Sequence, residues 1–246
     1  MKESVVIWLA LLIPVMSLAQ NTHLASAGTS TDTNVAPKKP LNLNERRITP
    51  LFGEVSKTSE QIDEEIKFLS DCDKSFSTRA EASSFFATRA WEYLQEGSLD
   101  TACYRFNLAQ LLNDKNVEAY WGLGVVSYQR ENWVDAKRML SKGVSLQGDN
   151  VPLLVDLSTV QLKLYAITSR KEELEEASEV LKRAVALDST YALGQYNLAL
   201  LHYNLDELDK SWEHLHKGRV LDFSQLNLDF VELLKAKMPD PQGFFK

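Results

Sequence analysis

Residues 117–150 read VEAYWGLGVVSYQRENWVDAKRMLSKGVSLQGDN. Large apolar residues at Tyr120, Leu123 and Leu140 alternate with small ones at Gly124, Ala136 and Gly143. The spacing predicts two helices of about 14 residues on either side of Arg130-Glu131-Asn132. Helices can cross closely only where the crossing residues carry almost no side chain, so that large neighbours drop into the gaps.

The pattern recurs through the chain, and such a period is the mark of a repeat architecture. Segments beginning at Ser83, Val117, Val151 and Ala192 are separated by 34, 34 and 41 residues. Their eighth positions are Ala90, Gly124, Ser158 and Ala199. Their twentieth are Ala102, Ala136, Ala177 and Ser211, allowing for a seven-residue insertion in the third segment. Their twenty-seventh are Ala109, Gly143, Ala184 and Gly218. Four helix pairs are therefore expected at 83–116, 117–150, 151–191 and 192–225, in an all-α solenoid.

These residues resemble the tetratricopeptide repeat (TPR). Segment two is the most regular, with Tyr120, Leu123-Gly124, Ala136, Leu140, Gly143 and Leu146; segment four follows with Asn197-Leu198-Ala199, Ser211, Leu215 and Gly218. The proline that the family usually places at position 32 is missing, with Asp114, Gly148, Ser189 and Phe223 there instead. The resemblance implies a right-handed α-α superhelix whose first helices line a concave surface. It also implies a scaffold for a protein or peptide partner, such as a helix, without cofactor or catalysis.

On that face the second, fifth, ninth, twelfth and thirteenth positions of each segment align. They supply Trp91, Trp121, Val125, Tyr128, Leu162, Tyr196, Leu200 and Tyr203, a candidate partner-binding groove. An apolar groove needs an occupant: a partner, a second copy, or this chain's own ends. The helix at 59–75, Pro50-Leu51-Phe52-Gly53 and the Phe244-Phe245 tail are apolar enough to fill it. No Lys, Arg or Asn occupies the fifth and ninth positions, so a clamp for a C-terminal carboxylate is not expected.

The flanks read differently. Val5–Leu18 is an apolar run ending in Ser17-Leu18-Ala19, as in a signal peptide over 1–19 cut before Gln20. The run holds Pro14 and is shorter than the roughly 20 residues of a membrane span. A periplasmic or secreted protein follows, with no stable membrane insertion after cleavage. Ser, Thr, Asn, Ala and Pro dominate Gln20–Pro40 with no apolar period, 20–57 is net basic, and the whole reads as a disordered linker. Thr58 and Gln61 have capping-box spacing at the head of a helix over 58–76. Ser169 and Glu172 repeat that spacing before the acidic Glu172–Glu179 stretch, and 226–246 reads as a capping helix and tail. In an oxidising compartment Cys72 and Cys103 could pair, or serve as two half-buried thiols acting as small apolar residues.

The chain offers little for chemistry. Its formal charge is −7 with pI near 5.2, which disfavours nucleic acid. His214 and His216 lie about 200° apart on a helix and cannot share a metal. Gly122-Leu123-Gly124 has the look of a dinucleotide fingerprint but lies inside a helix and lacks the third glycine. We expect no catalytic residue, no metal and no cofactor; self-association is the alternative to partner binding.

Overall fold

The computed structural model describes residues 41–246, so the signal-peptide reading and the linker up to Pro40 lie outside it. Helices α1 (Leu43–Ile48), α2 (Ser59–Ser75), α3 (Arg79–Gln95), α4 (Leu99–Leu112), α5 (Val117–Gln129) and α6 (Trp133–Leu146) come first. Helices α7 (Val151–Thr168), α8 (Lys171–Leu187), α9 (Ala192–Asn204), α10 (Leu208–Leu221) and α11 (Leu228–Lys237) follow. No strand occurs among the described residues. Pairs α3–α4, α5–α6, α7–α8 and α9–α10 stack in sequence, with first helices side by side at α3–α5 and at α7–α9.

All twelve small positions are buried. In the fourth pair the Ser211 hydroxyl donates to the Ala199 carbonyl at 2.8 Å, joining the twentieth position directly to the eighth. A Cβ added to Gly124 would come within 2.6 Å of Leu140 Cγ, and one on Gly218 within 2.7 Å of the Tyr196 ring. These contacts are the physical reason for the pattern: anything larger would push the helices apart.

The turn inside three of the pairs is the same device. Gly97, Glu131 and Asp206 stand at one repeat position, each with φ between 59° and 76°. The following amide reaches back to the carbonyl five residues earlier, as Asn132 does to Ser127 at 2.9 Å. Ser98 to Tyr93 and Glu207 to His202 repeat it. This left-handed Schellman ending satisfies carbonyls at the helix terminus. Asn116 and Asn150, one repeat apart, cap α5 and α7 with their side chains.

The third pair absorbs its insertion by lengthening both helices: α7 has 18 residues where α5 has 13, and α8 has 17 where α6 has 14. The capping box expected from Ser169 and Glu172 does not form. Ser169 instead turns left-handed at the end of α7, and Arg170 heads α8 without a side-chain cap. Among the acidic residues of α8, Glu173 is buried and pairs with Lys137 of α6 at 2.8 Å, with Glu176 pairing with the same lysine at 2.6 Å. This part of the acidic stretch thus tethers one repeat to the next. By length and composition α7 could also cross a membrane, but most of it is core of the solenoid.

The largest departure from expectation is at residues 41–57, where a disordered linker was predicted. A capping box between Asn42 and Glu45 starts α1, and the next turn, Pro50–Glu54, buries Phe52. Arg46 is buried against Glu65 of α2. Asn107 on α4 donates to the carbonyls of Arg47 (3.1 Å) and Thr49 (2.8 Å), and the Cys103 thiol donates to that of Ile48 (3.2 Å). Arg138 of α6 pairs with Glu54 at 2.6 Å. The segment is a strap across the second helices. Asn107→Ala should strand two carbonyls at a cost of about 1–3 kcal/mol, and limited proteolysis should then cut first within 41–57.

At the other end α11 packs Phe230, Val231 and Leu234 over Ala199, Trp212 and Leu215, closing the last repeat as solenoids require. The tail folds onto α10: Trp212 Nε1 donates to the Met238 carbonyl at 3.1 Å and His216 meets Asp240 at 2.7 Å. Cys103 and Asn107 are the twenty-first and twenty-fifth residues of the first repeat, and Trp212 and His216 hold those places in the last. The same two positions hold both ends of the chain.

The possible disulfide is not formed. Cys72 and Cys103 are free thiols in separate core clusters, because α2 stacks on the end of the solenoid while Cys103 faces the strap. Burial pushes the Cys103 thiol up to about 11, so it stays protonated.

Candidate functional site

The strap lies mainly on α4, with further contact to α5 and an ion pair to α6, and the tail folds onto α10, while α11 covers Leu200 and Tyr203 of the last first helix. The three occupants that the sequence suggested from within the chain are placed as follows: α2 at the solenoid end, the Pro50–Glu54 turn on α4 and α5 with an ion pair to α6, and Phe245 on Trp212.

The eight residues expected on the first-helix face divide into two groups. Trp91, Trp121, Tyr196, Leu200 and Tyr203 are half-buried. Val125, Tyr128 and Leu162 are buried and contribute to packing. Leu162 sits among Leu174, Leu198 and Leu201, and Tyr128 among Leu157, Val160 and Leu164 with its ring edge-on to Trp133 at 4.9 Å. Adjacent repeats close over these positions, so flat helical spacing overcounts the surface.

The half-buried group is held in place by its neighbours. Trp91 meets Phe106 edge-on at 5.1 Å and Trp121 at 5.5 Å. The Tyr196 hydroxyl donates to the Asp222 carbonyl at 2.9 Å. Tyr203 packs on Phe230, and the Lys237 ammonium lies 4.3 Å over its ring.

Two rungs on this face were not read from the sequence. Trp91 Nε1 donates to Glu118 Oε2 at 2.7 Å, and Trp121 Nε1 donates to Asp156 Oδ2 at 2.7 Å. Each indole reaches from one first helix to the carboxylate of the next. Asp156 is buried at 7% exposure, and burial pushes its carboxyl up to about 7, with the Trp121 hydrogen bond opposing. The signal was present as a lone acid within the apolar run VPLLVDLSTVQL.

Elsewhere, a cavity of about 600 Å³ lies beside α10, lined in part by Val185, His214, Lys217, Val220 and Leu221. Its ionic groups are occupied: Lys217 by Glu213 at 2.6 Å, and nearby Arg219 by His216 at 2.8 Å. His214 stacks on His202 at 5.2 Å, and burial lowers it to about 4. Among the described residues no cluster of His, Cys, Asp and Glu is arranged to hold a metal ion.

This architecture, helix pairs in register with small residues at each crossing, is the fold of tetratricopeptide-repeat solenoids. Residues 170–206 match the family described as TPR repeat, which covers α8 and α9 rather than segment two, where the pattern looked most regular. A thermophilic TPR protein of Thermus thermophilus, TTC0263, superimposes with a TM-score of 0.55 at 21% identity, over 65% of this chain and 85% of that one. YrrB, described as a TPR protein with an unusual peptide-binding site, gives 0.51 at 22% identity over 65% and 79%. MamA from Desulfovibrio magneticus RS-1 gives 0.53 at 17% identity over 65% and 87%. A search of curated proteins returns no match.

Proposed function

We propose that this chain is an exported, non-catalytic scaffold that holds a protein or peptide partner on its first-helix face. The observation that carries the reading is the placement of the termini. The strap and the tail are fastened chiefly to second helices and α11 covers Leu200 and Tyr203 at the last repeat, while Trp91 and Trp121 remain half-buried along the first helices of the earlier repeats. Partly exposed Trp and Tyr beside aliphatics are the residues that most often anchor an interface. TPR neighbours support a protein or peptide as the ligand, and export rests on the apolar run before Gln20.

A photo-crosslinking amino acid tests this in the native host. Placed at 84 or 95, exposed on α3, it should give one discrete adduct; at 134 or 220, exposed on second helices, it should give none. The protein should be recovered from the periplasm or medium beginning at Gln20. Adducts only from 134 and 220, or from no position, would overturn the scaffold reading.

One observation favours self-assembly as the second reading. Both end helices carry exposed apolar residues, Ile62 and Ile66 on α2, Leu228 and Leu233 on α11. Adducts between two copies of this chain would select it.

A further inference from the structure

We propose that Asp156 is the anchor for a basic side chain, lysine or arginine, of a peptide partner lying on the first-helix face. This rests on the reading of that face as the partner surface, and it names the partner's chemistry.

The argument begins with what surrounds the carboxylate. Its hydrogen bond comes from Trp121, a neutral donor, and no Lys, Arg or His among the described residues pairs with it. Other acids with little side-chain exposure are provided for: Glu65 has Arg46 and Lys57, Glu173 has Lys137, and Asp240 has His216 with three backbone amides. A buried charge without a counter-charge is costly, and folds normally pair it.

The groups facing Asp156 are suited to a cation. From α5 comes Trp121, whose indole donates to Asp156; burial, with the Asp156 charge adding to it, raises the phenols of Tyr128 on α5 and Tyr191 at the head of α9. No titratable group on α6 or α8 bears on it. A half-buried indole beside a carboxylate receives both the alkyl stem and the charged head of lysine or arginine. The pair is not sealed, since Trp121 is half-buried and Asp156 retains 7% exposure.

Charge along the row points the same way. Glu118, exposed, forms the matching rung one repeat earlier, so the strip presents two acids beside two indoles. Lys163, the cation on α7, is directed to the Trp133 ring at 5.2 Å rather than to Asp156. A basic, partly apolar peptide complements this strip, and an acidic one does not.

The test uses the mature chain and two nonapeptide pools with randomised flanks, one with central lysine and the other with norleucine at that place. At pH 8 the lysine pool should bind at least tenfold more tightly by isothermal titration. The preference should shrink toward unity at pH 5.5, where Asp156 is protonated, and be absent in Asp156→Asn at both pH values. In ¹⁵N spectra the Trp121 indole peak should move with a midpoint near pH 7 and be displaced by the lysine pool alone. Equal binding of the two pools would overturn the cation anchor and leave the scaffold standing; binding of neither would overturn both. If light scattering shows a dimer that Asp156→Asn dissolves, the occupant is a second copy, and the proposal fails.

Discussion

Gly122→Ala should lower the melting temperature by about 5–10 °C, although alanine is the better helix former. Propensity alone would favour the variant by up to about 1 kcal/mol. The space forbids it: a Cβ at Gly122 would lie 2.0 Å from Phe106 Cζ, with two more atoms of that ring at 2.2 and 2.3 Å. Phe106 is fully buried and braced edge-on by Trp91, so the ring has nowhere to retreat. Overpacking of this kind costs about 1–3 kcal/mol or more, and a chain of this size loses roughly 2–4 °C per kcal/mol. The interface it disrupts joins the first two repeats, and a solenoid's stability depends on each neighbouring pair. Gly148→Ala is the control. Its Cβ would meet only the guanidinium of Arg183, an exposed side chain free to move, so the melt should change little. A Gly122→Ala protein that melts like the wild type would mean that α4 and α5 are not this close.

That contrast shows what was legible in the sequence and why. Crossing positions are constrained by the backbone of a partner helix at a fixed offset, so Ala90, Gly124 and Ala136 announced themselves by size alone. The strap was not legible. Residues 41–57 show no sustained apolar period, and their order comes from groups far along the chain, chiefly Asn107, Cys103 and Arg138. Composition reports what a segment can bury by itself, not what a distant helix holds in place. The face was legible in part. Trp91 and Trp121, which spacing aligned, are half-buried and meet edge-on, but a flat helical projection omits the stacking that turns Tyr128 and Leu162 inward. Asp156 was missed because it stands one residue from the predicted stripe, at the sixth position of its repeat rather than the fifth.

Asp156→Asn should stabilise the protein by about 2–4 kcal/mol at pH 8 and leave it little changed at pH 4. The carboxyl is raised in the fold from its ordinary 3.8 to about 7, chiefly by burial. The folded state therefore holds this proton more tightly than the unfolded chain does. The stabilising contribution is complete below the unfolded value and is lost as pH rises through about 4 to 7. A shift of this size corresponds to at most about 4 kcal/mol. Asparagine keeps an oxygen to accept from Trp121 and carries no charge at any pH, although its amide must find an acceptor, at a cost of about 1 kcal/mol. Urea unfolding at pH 4.5, 6 and 8 measures the difference, and comparing the variants cancels the opposite acid-limb slope from carboxylates such as Glu65 and Asp240, which the fold holds low. Wild type and variant that differ by a constant amount across this range would show that Asp156 is not buried as a charge. The expected result bears on function as well as folding. A first helix that served packing alone would be more stable with an apolar residue at 156, whereas a carboxylate that weakens the free protein above neutrality becomes favourable only when a cation arrives. Binding and stability at this residue should therefore move in opposite directions, Asp156→Asn giving the firmer fold and the weaker grip on a basic peptide.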